Sequence, residues 1–302
     1  MTKTREIKRR ITSINSTKKI TKAMQMVSAS RMKRAQNRVN NAVPYAEGLF
    51  KIVNEIGPIH DYTHPLLRQV DEIKNVAVLI IGPHRGFVGG MITTLFLAAD
   101  QLIDKIRLNN QGVHIFGISM HRKGLDIVNK LGIESKYHFA DYFENPTTTQ
   151  LTPIIKVISD GFINKEFDEV YIVYMHFINT IVQKPEFQKI LPISLSKFQK
   201  DAESIKKLSN DKKQAILNLT YNFEPNVKEV LNRLVPEYFE TQIYAALLDS
   251  MASEYSARMV AMKNATDNAN EMYKELELIY NRTRQASITQ EILEVISGRG
   301  KN

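Results

Sequence analysis

From Glu237 to Ser297 the chain contains neither proline nor glycine. The two strongest helix breakers are therefore absent from one long run. Leu248, Met251, Tyr255, Arg258, Met262, Ala265, Ala269, Met272, Leu276, Ile279, Thr283, Ala286, Gln290 and Leu293 fall alternately three and four apart. This is the seven-residue spacing of a helix packed along another helix, with two conspicuous polar interruptions. At about 1.5 Å per residue, roughly 60 residues make a rod on the order of 90 Å long. Such a rod is wider than any domain a chain of 302 residues can build. It must project.

A second long helix is predicted over Met1 to Ile56, closed by Gly57-Pro58. Ile7, Ile11, Ile14, Met32, Ala35, Val39, Ala42, Leu49, Val53 and Ile56 keep the same spacing at its two ends. In its middle Lys18, Thr21, Gln25 and Ser28 occupy that stripe, while Ile20, Met24, Val27 and Arg31 form a neighbouring one. The seam is expected to shift sideways there. Pro44 is expected to kink the helix.

Between the helices the texture alternates. Short apolar runs at Asn75–Gly82, Val113–Ser119, Glu134–Phe139 and Val170–Met175 read as strands. Helical patterns at Met91–Leu108, with Leu95, Leu97, Leu102, Ile103 and Ile106 inward, at His121–Leu131 and at Leu151–Phe167 separate them. Residues 177–194 read as a hairpin-like edge, and the lysine-rich 199–222 as an exposed connection. Alternation of this kind specifies a mostly parallel sheet covered by helices. The predicted fold is thus α/β: a long antiparallel coiled coil of the terminal helices with an inserted Rossmann-like α/β domain. The expected boundaries are 1–57 for the first helix, 58–222 for the α/β foot and 223–302 for the second helix with a short lead-in. The two helices must be antiparallel because one enters the foot and the other leaves it.

Composition removes whole classes of chemistry. There is no cysteine, so disulfides, thiolate metal sites and thiol switches are excluded. The longest clean apolar run, Val76–Ile81, is too short to cross a bilayer, so no direct membrane insertion is expected. The net charge of +9 is concentrated: Met1–Asn40 holds 12 Lys and Arg against the single acid Glu6. A block of this kind fits a polyanionic partner, namely nucleic acid, an anionic membrane surface or acidic protein segments. A basic amphipathic start also suits an organelle transit peptide, but the periodicity runs unbroken past such a segment's length.

No catalytic constellation emerges. The turn Gly82-Pro-His-Arg-Gly86-Phe-Val-Gly89-Gly90 lacks the Lys-Ser/Thr of a phosphate-binding loop and the glycine spacing of a dinucleotide fingerprint. Its glycines fit a tight turn and close helix packing. The seven histidines show no metal-ligand spacing, and His114, inside an apolar strand, is expected to be a satisfied core residue. No cofactor and no metal are expected.

Three stretches are distinctive: KKITKAMQMVSASRMKRAQ (Lys18–Gln36), SEYSARMVAMKNATDNA (Ser253–Ala269) and YNRTRQASITQEILEVISG (Tyr280–Gly298). Together with PYAE (Pro44–Glu47), FINT (Phe177–Thr180), ILPI and FEPN (Phe223–Asn226), they resemble the gamma subunit of F-type ATP synthases over essentially the full length. The resemblance implies a non-catalytic central rotor shaft, turned by proton or sodium-ion flow within a ring of alpha and beta subunits. Its implied partners are those subunits, the epsilon subunit and the membrane c-ring, with no nucleic acid. The implied location is peripheral, on the cytoplasmic side of a bacterial inner membrane.

By motif match, the resemblance places Arg284, Gln285, Thr289 and Glu291 against loops of the catalytic subunits, and Arg258 at a second such contact as an outward-working charge. It aligns Lys18, Lys22, Arg31 and Met24 with the acidic lever segments of the beta subunits. Glu224, in FEPN, matches the foot's contact with the ion-carrying ring. Small and aliphatic residues near the shaft end (Ala286, Ile288, Ile292, Ile296) suit a sliding bearing. The chain departs from the family's pattern at the turn after the first strand, where His84, Val88 and Ile92 replace an acid, a cysteine and an asparagine.

Overall fold

The computed structural model describes residues 2–56, 64–70, 72–140, 144–193, 224 and 226–299. Helix α1 spans Thr2–Ile56 without interruption at Pro44. A single 3₁₀ turn at Pro65–Leu67 is capped by the His64 imidazole, whose Nδ1 accepts the Leu66 N–H at 3.2 Å. The foot then follows as β1 (Asn75–Ile81), α2 (Met91–Asn109), β2 (His114–Met120), α3 (His121–Lys130), β3 (Glu134–Phe139), α4 (Thr148–Ile163), β4 (Glu169–Phe177) and β5 (Gln183–Leu191). Helix α5 runs from Val227 to Arg299. The predicted connection 199–222 lies outside the described residues, as do Gly57-Pro58 and residues 59–63.

The five strands form one sheet in the order β3-β2-β1-β4-β5. The first four are parallel, and β5 pairs antiparallel with β4 at the edge. Strand β1 is central and covered on both faces, which explains its uninterrupted apolar run. Val76, Val78 and Ile80 point to one face, where α2 and α3 pack; Ala77, Leu79 and Ile81 point to the other, where α4 and α5 pack. All six are at most 1% exposed, and each large one contributes about 1.5–3 kcal/mol by burial. Gly82, just past β1, allows α3 to approach very closely. A Cβ there would sit 2.2 Å from the Gly124 nitrogen.

The terminal helices pair antiparallel along a seam that stays straight. Ile7, Thr21, Ser28, Ala35, Leu49 and Val53 of α1 are buried at heptad spacing, whereas Ile20 and Val27 of the neighbouring stripe are 60% and 51% exposed. The predicted sideways shift does not occur; the seam is simply polar in its middle. On α5 the least exposed positions past the foot are Met262, Thr266, Ala269, Tyr273, Leu276, Tyr280, Thr283 and Ser287. Half of the predicted seam is therefore one residue off: Met272 and Ile279 are 53% and 47% exposed. Hydroxyl-bearing side chains fill the places assigned to apolar ones. Thr21 and Thr266 hydrogen-bond across the seam at 2.7 Å, and Lys18 Nζ lies 5.9 Å from the Tyr273 ring centroid.

Four further expectations change. Helix α5 begins ten residues before Glu237 and carries Pro236 inside it. The lost hydrogen bond is outweighed by Leu231, Val235 and Phe239, each fully buried around the proline. Helix α4 starts earlier than predicted because Thr147 and Gln150 make a reciprocal capping box. Leu97 is 50% exposed on the outer side of α2. His114 is also exposed, at the open start of β2, where it stacks on Phe116 at 5.0 Å.

Candidate functional site

In open parallel sheets, ligands bind outside the carboxyl ends of the strands where the strand order reverses. Here that point lies between β1 and β4. Helix α5 covers one side of it. Over Asp249–Arg258, helix α5 crosses the strand ends with a row of polar side chains. Asp249 accepts the Phe177 N–H at 2.9 Å and faces His176 Nδ1 at 2.5 Å. Ser253 donates to the Met175 carbonyl at 3.1 Å, and Ser256 to the Thr180 carbonyl at 2.8 Å. Glu254 accepts the backbone N–H groups of His84 at 2.9 Å and Arg85 at 3.4 Å.

Arg258 completes the set. Its guanidinium pairs with Glu254 at 2.6 Å and donates to the carbonyls of Arg85 at 3.1 Å and Gly86 at 3.3 Å. Its side chain is 10% exposed and that of Glu254 is 6% exposed. The sequence-based expectation of an outward-working Arg258 is therefore corrected: the charge turns inward onto the glycine-rich turn. A buried arginine is tolerated at an apolar seam only with a partner at hydrogen-bond distance, and Glu254, one helical turn earlier, supplies it. The same turn holds Phe87 at a φ of 61° with its side chain 71% exposed. Helix α5 closes one side of the crevice, and on the other side an open cleft remains between Val88, Gly90 and Thr94, Met175 of β4 and Ala257 of α5.

Titration in this row follows from burial. Burial pulls the His176 imidazole down, but the hydrogen bond and charge of Asp249, with Glu186 behind it, leave it raised above its ordinary value of 6.5. Burial raises the Asp249 carboxyl from 3.8, against the opposing pull of His176 and the Phe177 amide.

The remaining predicted site residues lie on the outside of the helical rod. Arg284, Gln285, Thr289 and Glu291 are all exposed near its end, with the Thr289 hydroxyl donating back to the Gln285 carbonyl at 3.0 Å. Around them Ile288, Ile292, Leu293, Val295 and Ile296 are 47–64% exposed. Lower down, Lys18 and Met24 are half-buried at the seam, and Lys22 is exposed with Nζ 3.3 Å from Gln25 Oε1. Arg31 pairs with Glu144 of the foot at 3.1 Å, and Arg34 reaches the same carboxylate at 3.8 Å. Part of the basic block thus already has an acid of its own chain. Glu224 is exposed at the bend before α5.

The row from Asp249 to Arg258 was not anticipated as a unit. Its signal was present as Ser250, Ser253 and Ser256, three apart in an otherwise apolar run, with Glu254 four residues before Arg258. Glu144 carried no local signal, since its partners are more than a hundred residues away.

These features define a class: a shaft-and-foot protein with a two-helix rod, one of whose helices packs across the strand ends of an α/β foot. The ATP synthase family model matches residues 3–300. An ATP synthase gamma chain from Cupriavidus metallidurans is 37% identical over 300 residues, covering 99% of each chain. One from Janthinobacterium sp. (strain Marseille) is 36% identical over 296 residues, covering 97% of each. Among solved structures, the rotor of the Euglena gracilis mitochondrial ATP synthase superposes with a TM-score of 0.62 at 15% identity, covering 95% of this chain and 99% of that one. The central stalk/c-ring structure from Tetrahymena thermophila gives 0.57 at 22% identity, covering 82% and 99%. The chain belongs to the ATP synthase gamma chain family.

Proposed function

We propose that this subunit is the non-catalytic rotor of an F-type ATP synthase, peripheral on the cytoplasmic side of a bacterial inner membrane. Its working units are the helices 1–57 and 223–302 and the foot 58–222. The rod turns inside a ring of alpha and beta subunits, and the foot rides on the epsilon subunit and the membrane c-ring, with Glu224 against the ring. Arg284, Gln285, Thr289 and Glu291 meet loops of the catalytic subunits; Lys18, Lys22 and Met24 meet their acidic levers, and Arg31 joins them by exchanging Glu144 for a lever carboxylate. The related solved assemblies are titled as the central stalk with the c-ring and as OSCP/F1/c-ring, which supports these partners. No helix among the described residues is long and apolar enough to cross a membrane, in keeping with a peripheral seat.

The observation that carries this reading is the bare end of the rod. From Leu278 to Ile296, α5 leaves seven large aliphatic residues 47–64% exposed, Leu278 and Ile279 among them. A contiguous apolar surface of that kind marks a protein interface. Exposed ion pairs at the lower rod contribute only about 0–1 kcal/mol each, which suits contacts that must exchange as the rod turns. The test is an Arg284→Ala/Gln285→Ala double variant in the assembled complex. Expected is at least a severalfold fall in ATP-driven ion pumping with the foot still folded; pumping at the unmodified rate would remove the assignment.

A further inference from the structure

We infer that the row Asp249–Arg258, and above all the Glu254–Arg258 pair, is the joint that transmits torque between rod and foot. The inference rests on the rotor reading and adds to it the place where twist is carried. Apolar packing is non-directional: it holds two surfaces together but resists sliding poorly. Hydrogen bonds weaken steeply as their angle is bent, so a buried polar row resists tangential slip as the teeth of a splined coupling do. Among the described residues the rest of α5's packing on the foot is largely apolar, as at Phe239, Ile243, Ala246 and Leu247, with Tyr244 donating to the Pro146 carbonyl at 3.2 Å in the loop before α4. Among the described residues of α5, only Asp249–Arg258 seizes main-chain groups of the strand ends and of the turn after β1.

Within the row, the Glu254–Arg258 pair does the most. One carboxylate takes two consecutive N–H groups of the turn, His84 and Arg85, while one guanidinium takes two consecutive carbonyls, Arg85 and Gly86. Donors and acceptors of the same turn are held by a single ion pair on one helix face. The turn leads directly into α2, whose first residues have no side-chain cap. Arg258 and Glu254 are thus positioning residues for coupling. They need not touch a catalytic subunit.

The experiment replaces Glu254→Gln and Arg258→Met, singly and together, in the full chain and in the assembled complex. The double variant removes both charges while keeping the volume, so no uncompensated ion is left in the core. In the full chain, amide exchange at His84 and Arg85 is expected to rise at least tenfold; unchanged exchange at both would overturn the clasp. In the complex, the ratio of ions pumped to ATP hydrolysed is expected to fall at least threefold, with Arg258→Lys recovering part of the loss. An unmodified ratio in a complex of normal stoichiometry would overturn the torque role. Should the double variant fail to assemble, Glu254→Gln alone gives the same readout and must also lower the ratio. That single change separates the joint from a direct partner contact by Arg258, which it would free and leave working. The unmodified chain serves as control: if it fails to restore pumping to a complex lacking it, the rotor reading falls, while the amide-exchange arm still decides the clasp.

Discussion

The two ends of α5 are built on opposite rules. At its root, from Leu231 to Ser256, the helix is surrounded: Leu231, Val235, Phe239, Ile243, Ala252, Ser253 and Ser256 are all fully buried, on several faces of the same cylinder. At its tip, from Leu278 to Ile296, no position is fully buried and the large aliphatics lie open. The root is a core helix that carries polar teeth; the tip is a surface that waits for other surfaces. One helix therefore has an anchored end, where burial and hydrogen bonds fix it, and a tip that meets the chain only along the narrow seam of Tyr280, Thr283 and Ser287 and leaves its aliphatics open. A shaft needs both.

The largest expected contrast follows directly. Phe239→Ala at the root should lower the unfolding free energy of the isolated chain by about 3–5 kcal/mol, because it opens a cavity among fully buried neighbours. Ile292→Ala at the tip, 53% exposed, should change it by no more than about 0.5 kcal/mol. Urea unfolding of the two variants checks this. Comparable losses would mean that the tip is anchored within the chain and that the contrast is false.

Sequence periodicity foresaw the alternation of strands and helices, the parallel sheet and the pairing of the ends. These follow from local pattern, and β1, central on both faces, could hardly be missed. The errors cluster where pattern and environment part company. Counting apolar residues put Met272 and Ile279 in the seam, yet Tyr273 and Tyr280 sit nearer to it, because the free part of the rod reserves its aliphatics for the outside. The resemblance points Arg258 outward, at a contact with the catalytic subunits. Here Glu254 and the carbonyls of the turn, distant in sequence, make the inward position satisfied. The proline-free run starts at Glu237, yet buried neighbours carry the helix through Pro236. Of the candidate surface, the residues on the rod's outside were legible as motifs; the joint was not, because its partners are main-chain groups that no side-chain pattern announces.

A middle-sized effect probes the polar seam between these two ends. Thr21 and Thr266 are 8% and 6% exposed and bonded to each other; one hydroxyl donates across the seam, and the other spends its proton on its own helix, at the carbonyl of Lys18 or of Met262. Thr21→Val or Thr266→Val alone leaves a buried hydroxyl short of a partner and should cost about 1 kcal/mol. Replacing both should cost less than the sum of the two, since matched apolar groups pack without an orphan. A double-mutant cycle from thermal unfolding measures the coupling. Strict additivity would show that the hydroxyls do not act as a pair.

The smallest effect belongs to the foot side of the joint and is read through pH. His176 bonds Asp249, and its folded-state value is raised, so folding takes up a proton near neutrality. The stabilisation from this pair is then complete below about pH 6.5, the ordinary value of the imidazole. It fades as pH climbs through the raised folded value. The His176→Gln variant should accordingly be less stable than the unmodified chain at pH 6 and close to it at pH 8.5. With the imidazole side chain 40% exposed, solvent screening keeps the difference below about 1 kcal/mol. Melting curves of both chains at the two pH values test it. A gap that widens toward pH 8.5 would mean that His176 works as a neutral hydrogen-bonding group, and that the charge holding β4 to α5 resides elsewhere in the row.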